Sequence, residues 1–119
     1  MLVFPLKKQW YEKIKSGEKT VEYREVKPYW VKRIEKFTGG KYHRRDYGWY
    51  FGCCSENAVC KLRLGYTNKY LLAHIECIKI LNTGKDTDLH IDKPVYAIEL
   101  IDVKEIVQWT RKKNFGERQ

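Results

Sequence analysis

No uncharged apolar stretch in the 119 residues approaches the roughly 20 needed to cross a bilayer, and residues 1–6 lack the length and cleavage site of a secretory signal. Neither a membrane span nor classical secretion is expected, and the chain is expected in the cytoplasm. The sequence has no Gly-x-Gly-x-x-Gly, no P-loop and no His-Glu-x-x-His, so no cofactor and no metal is expected. Cysteine is limited to Cys53, Cys54, Cys60 and Cys77, which could close two disulfides but, without a secretory signal, read as thiols. A zinc site from Cys53, Cys54, Cys60 and His43 is disfavoured, because an adjacent pair lacks the spacing that turns two thiolates onto one tetrahedral ion. With no repeat, low-complexity tract or linker, one domain over 1–119 is expected, with a core of about 1–104 and a basic tail, 105–119.

Acidic residues are the other shortage. Lys and Arg number 24 against 15 Asp and Glu, a net charge of +9. Residues 1–45 hold 13 of those cations and only 5 of the acids, so the N-terminal third is the basic part. Such asymmetry points to a polyanion, nucleic acid ahead of an anionic membrane, since no long amphipathic helix is present to lie on lipid. The alternative is a basic surface that only aids solubility. Aromatics are plentiful, at 4 Trp, 9 Tyr and 4 Phe, as a folded chain requires.

Residues 2–6 predict a short strand that Pro5 places at an edge or a bulge. Residues 7–16 predict a helix with Trp10, Tyr11 and Ile14 on its apolar face and Gly17 as its stop. Residues 19–26 alternate, with Val21 and Tyr23 on one face and Thr20, Glu22 and Arg24 on a polar face. A second helix opens at Pro28, with Trp30, Ile34 and Phe37 in its stripe, Lys32, Arg33 and Lys36 off it, and Gly39 and Gly40 at its end. Residues 41–58 show no period and read as an irregular, aromatic-rich loop. Alternation in 60–66 and 71–77 predicts an antiparallel hairpin, and the slip at Ile78, Ile80 and Leu81 predicts a β-bulge. Residues 84–92 read as a polar connection, 95–103 as the last strong strand, and 105–109 as a short amphipathic segment. The order is that of an α+β domain whose strands curl into a small barrel.

The segment Gly17-x-Lys19-x-x-Glu22-x-Arg24 carries the most chemical information. Glu22 and Arg24 share a strand face, so Glu22 is placed to orient the guanidinium toward a phosphate or a base edge. Lys19 has the opposite parity and reaches the same cleft only if the chain bends after Gly17. The alternative is an ion-pair row on a solvated strand. Arg44 and Arg45 lie among aromatics, and Trp49 and Tyr50 are suited either to stack on unpaired bases or to close one end of the barrel. His74 and Glu76, two apart on a strand, read as a surface pair.

The opening MLVFPLKKQWYEKIKSGEKTVEYREVKPYWVKRI, with that motif, and the later LRLGY, AHIECIKI and VYAIEL resemble the ASCH domain family, related to the PUA domains, over roughly residues 1–103. The resemblance implies a small mixed or antiparallel PUA-like β-barrel with two flanking helices in the N-terminal third, and a cleft that binds RNA or nucleotides. Lys19, Glu22 and Arg24 match its motif. Some small members of that superfamily resemble amidohydrolases that act on 4-acetylcytidine, and others are described as ribonucleases. Here Lys19 matches the amidohydrolase lysine, while Glu22 stands where that pattern has threonine.

The expected function is therefore binding of RNA or a nucleotide-like ligand in a cleft of Lys19, Thr20, Glu22 and Arg24. The 41–58 loop, with Arg44, Arg45, Trp49 and Tyr50, is expected over its mouth, and Lys32, Arg33 and Lys36 on its flank. The alternative is a hydrolase in that cleft. As an amidohydrolase it would use Lys19 as base, Glu22 as proton shuttle and Thr20 at the oxyanion; as a ribonuclease, His43 with Lys19 and Arg24. A third reading is a protein-interaction module that offers Trp109 and the basic tail to an acidic partner.

Overall fold

The computed structural model describes residues 1–39, 43–45, 48–52 and 58–107, the backbone alone at 43–45 and 48–52. Strand β1 (Leu2–Leu6) alternates buried and exposed positions and leads directly into α1 (Lys8–Ser16), which buries Tyr11 and Ile14. Strand β2 (Val21–Glu25) is followed by α2 (Pro28–Thr38), whose proline sits in the first turn, where no N–H is needed, and whose Trp30 and Ile34 are buried. The remaining elements are β3 (His43–Arg45), β4 (Gly48–Gly52), β5 (Val59–Leu64), β6 (Lys69–Leu81) and β7 (Val95–Val107).

These strands form one mixed, seven-stranded sheet, giving a curled α+β, barrel-like architecture with two helices. β6 and β7 are antiparallel along their length, from Lys69 opposite Val107 to Leu81 opposite Val95. The other edge of β6 is shared: β5 pairs with residues 70–74 and β4 with 77–80. β1 adds to β5 in parallel, β3 adds to β4, and β2 lies antiparallel on the first half of β7. Pro5 is thus on an edge strand, where its missing N–H costs no ladder bond.

The phase slip in β6 is a pair of register shifts against β7, between Leu72 and His74 and between Ile75 and Cys77. They fall where β6 changes partner from β5 to β4. Bulges bend a strand and sharpen its twist, which turns the two halves of the sheet toward each other. The phase inverts with them: Leu71, Ala73 and Ile75 are buried, and beyond the shift Cys77 and Ile78 are buried in succession.

Two sequence expectations are corrected. Residues 43–45 and 48–52 are not an irregular loop but a hairpin that extends the sheet beyond β6; its pairing surface is β6 itself, which no local periodicity announces. Residues 105–107, assigned to an amphipathic segment and a tail, are the end of β7, held by the start of β6. The predicted involvement of Trp109 and the rest of the tail lies outside the described residues. The core joins Phe4, Tyr11, Ile34, Leu62, Leu71 and Ile98, each from a different one of six strands and helices, and the hydroxyl of Tyr11 donates to Glu105 Oε2 at 2.8 Å, fastening α1 to β7.

The β6–β7 connection folds back on itself around Gly84. Its N–H donates to Lys93 O, and its carbonyl accepts from the Thr87 N–H and hydroxyl and, more loosely, from Ile91 N–H. A Cβ at Gly84 would lie 2.6 Å from Val95 Cγ1 and 3.2 Å from Ile91 O. Gly84→Ala is accordingly expected to lose about 1–3 kcal/mol, the usual cost of overpacking, in urea unfolding. Unchanged stability would show that the connection is not packed against Val95.

Candidate functional site

The site begins at the end of α1. Gly17 adopts φ 88°, a left-handed cap that a side chain would strain, and donates its N–H to Ile14 O. The chain doubles back, so that Lys19 N–H donates to Lys13 O at 3.0 Å, and Thr20 O accepts from Leu100 N–H at 2.9 Å as β2 begins. This is the bend that parity demanded of Lys19. Its ammonium faces Val21 O, Asp88 Oδ2 and, at 3.6 Å, Glu22 Oε1. Two of these, Val21 O and Asp88 Oδ2, are hydrogen-bond acceptors, the third is an ion-pair contact, and the side chain is only 10% exposed.

Glu22 lies at the centre, its side chain 8% exposed. Arg24 meets the other carboxylate oxygen, Oε2, with Nε at 2.8 Å and Nη2 at 2.7 Å, and Nη2 also donates to Pro5 O at 2.8 Å. The guanidinium lies over Trp30, 5.0 Å from its ring centre, and 5.3 Å from that of Phe4, the two rings being stacked. Two N–H bonds of Nη1 have no partner among the described residues. Lys19 is framed by Tyr23 and Trp10, at 4.9 and 5.5 Å from the ring centres. Lys19, Glu22 and Arg24 thus form one continuous row of alternating charge.

The row lines a cleft of about 570 Å³ bounded by α1, β2, the end of β1 and the 84–91 connection. The expected pairing of Glu22 with Arg24 and the expected approach of Lys19 are both found, but the strand's polar face is covered rather than solvated. Thr20 does not join them: it precedes β2, is exposed, and lines a shallow depression on the far side of Lys19 with Lys13 and Glu18. Lys32, Arg33 and Lys36 lie outside the cleft, on the exposed side of α2. The side chains of Arg44, Arg45, Trp49 and Tyr50 lie outside the described residues. Their backbone is a hairpin of the sheet rather than an irregular loop: Trp49 stands opposite Ile80, then Tyr96, then Arg24, three strands away along the curled sheet. His43 is one strand farther, and His74 faces Asp102 at 3.7 Å as a surface pair.

Sequence reasoning missed Asp88, Tyr23 and Trp10 as parts of the site. Asp88 is 69 residues from Lys19 in a polar connection and carries no local signal. Trp10 and Tyr23 were assigned by their periodicity to packing faces, yet both are only half-buried and line the cleft.

Among the described residues Cys60 and Cys77 are free, and burial pushes both thiols up to about 12, assisted at Cys60 by Glu22 and at Cys77 by Glu99. Neither is a nucleophile near neutral pH. Burial likewise raises the Glu22 carboxyl above its ordinary value, against the downward pull of Arg24 and then Lys19. Native Glu22 therefore keeps a proton that the unfolded chain releases from about pH 4.5 upward, so this group's contribution to stability falls as pH rises through that window. In urea unfolding from pH 4 to 7, the stability of wild type minus that of Glu22→Gln should decline with pH. A rising difference would show that the two cations outweigh burial.

Comparison with family models, curated proteins and solved structures gave no match in any of the three.

Proposed function

We propose that this chain is a PUA-like domain, of the ASCH type its motif resembles, that binds RNA or a nucleotide-like ligand in the Lys19–Glu22–Arg24 cleft. The observation that carries the reading is the disposition of Arg24. Its Nε and Nη2 are fixed by Glu22 and Pro5, which holds the guanidinium plane, while Nη1 keeps two hydrogens for a ligand. A fixed planar fork suits a phosphate or the edge of a base. The cleft's 570 Å³ falls within the range of about 300–1,000 Å³ usual for small-molecule sites, and Trp10 and Tyr23 border it with aromatic surface. The curled mixed sheet with two helices in its N-terminal third is the coarse architecture a PUA-like reading requires.

A hydrolase in the same cleft is the second reading, favoured by one observation: a buried carboxyl, Glu22, whose proton affinity is raised beside an ammonium. In that case Glu22 moves the proton, and Lys19, hydrogen-bonded to Val21 O and Asp88 and paired with Glu22, supplies a fixed charge beside it. Thr20 lines the neighbouring depression, which shares Lys19 and Asp88 with the cleft, rather than the cleft itself.

The two readings separate in one set of measurements. Binding of a 12-nucleotide single-stranded RNA and of nucleoside 5′-monophosphates is expected to weaken in the order wild type, Arg24→Lys, Arg24→Ala, the last by on the order of tenfold or more, since charge-assisted hydrogen bonds contribute about 1.5–3 kcal/mol. RNA binding should fall steeply with salt. Equal affinity across the three proteins would remove Arg24 from the ligand site. Turnover of 4-acetylcytidine or of RNA by the wild type, lost in Glu22→Gln, would establish the hydrolase instead.

A further inference from the structure

A second groove, of about 800 Å³, meets the cleft at Pro5, which lines both. It runs between the start of β1, the exposed side of α2 and the β5–β6 turn. Four cations line it, Lys32, Arg33, Lys36 and Arg63, and no carboxylate does. None of the four forms a salt bridge with a described residue. A one-sign cluster of this kind repels itself unless a polyanion compensates it. Tyrosine stands among the charges: Tyr66, at the turn, is 94% exposed, and Tyr29 is 52% exposed. Arg33 is held in place, its guanidinium 3.6 Å from the ring centre of Tyr29 and its Nη1 donating to Tyr29 O.

Resting on the reading of the cleft given above, we infer that the ligand is a single strand, with its phosphates tracking this groove and one nucleotide carried past Pro5 into the cleft. Cations at the groove's wall follow a sugar–phosphate backbone whatever its sequence, and exposed rings beside them accept the faces of unpaired bases. A duplex keeps those faces stacked and offers nothing to Tyr66. A free mononucleotide would need the cleft alone and would leave the groove without a purpose. Pro5 is suited to the junction, because its carbonyl already fixes Arg24 in the cleft while the residue also lines the groove.

The test compares wild type, the triple variant Lys32→Gln/Arg33→Gln/Arg63→Gln and Tyr66→Ala. The probes are a 12-nucleotide single-stranded RNA, the same sequence as a duplex, a nucleoside 5′-monophosphate and poly-glutamate. All four positions are exposed, so folding is expected to be retained and is checked by circular dichroism. The triple variant should bind the single strand more weakly and flatten its salt dependence by about one unit of log–log slope per cation removed, with mononucleotide binding unchanged. Tyr66→Ala should weaken the single strand by about fivefold or more and leave the salt slope alone. Wild-type affinity of the triple variant for the strand would overturn the groove while leaving the cleft reading intact. Duplex or poly-glutamate bound as tightly as the strand, and indifferent to Tyr66, would overturn the single-strand assignment. Failure of the wild type to bind either RNA or mononucleotide would overturn the cleft reading, and this inference with it.

Discussion

Strands β6 and β7 share their hydrogen bonds over thirteen residues each, and every other strand reaches the sheet through one of them, directly or through one neighbour. The ladder is antiparallel, closed by the 82–94 connection, and interrupted by two register shifts near its middle. Bent at 72–77, it gives β5 and β4 separate stretches of the same edge and brings β1 and β2, on opposite borders, near enough for Arg24 of β2 to donate to Pro5 of β1 at 2.8 Å. The charged row and both grooves depend on that curvature.

The row offsets a cost of burial without cancelling it. A carboxylate taken from water is costly unless charges and hydrogen bonds replace its hydration, and the side chain of Glu22 is buried at the centre of the row. Arg24 supplies two N–H bonds to one oxygen and Lys19 a charge at the other. Both cations in turn lean on aromatic faces, so the arrangement is packed as well as paired. A pair so fixed loses little freedom when a ligand arrives, which is the condition for a guanidinium to discriminate by direction rather than by charge alone.

Much of this was legible in the sequence. Pro28 and Gly39 bracket α2, Gly17 stops α1, and the broken alternation at Ile78 announced the bulge. The parity of Glu22 and Arg24 gave their pairing, and the parity of Lys19 gave the bend it would need. The illegible parts are long-range. A polar strand face ordinarily meets solvent in an antiparallel sheet, and no residue in 19–26 declares that Glu22 will be buried on it. Residues 48–52 acquire strand structure from β6, a partner more than twenty residues downstream, and residues 43–45 from residues 48–50 in turn, while their own pattern is silent. Asp88 sits in a run of polar residues any of which, by composition, could have faced water.

Asp88 has a consequence for selectivity. Its carboxylate occupies the ammonium that an incoming anion would otherwise meet first, and it is tied to the fold through the closed turn at Gly84 and Thr87. A tethered group competes at an effective concentration that dilute free anions do not reach. A small free anion must displace it with few other contacts to offer, whereas a larger ligand anchored along the cleft needs only to share Lys19 with it. The lysine is thus shielded by its own chain from the commonest ions of its surroundings, and the site's threshold is set by how many contacts a molecule makes at once.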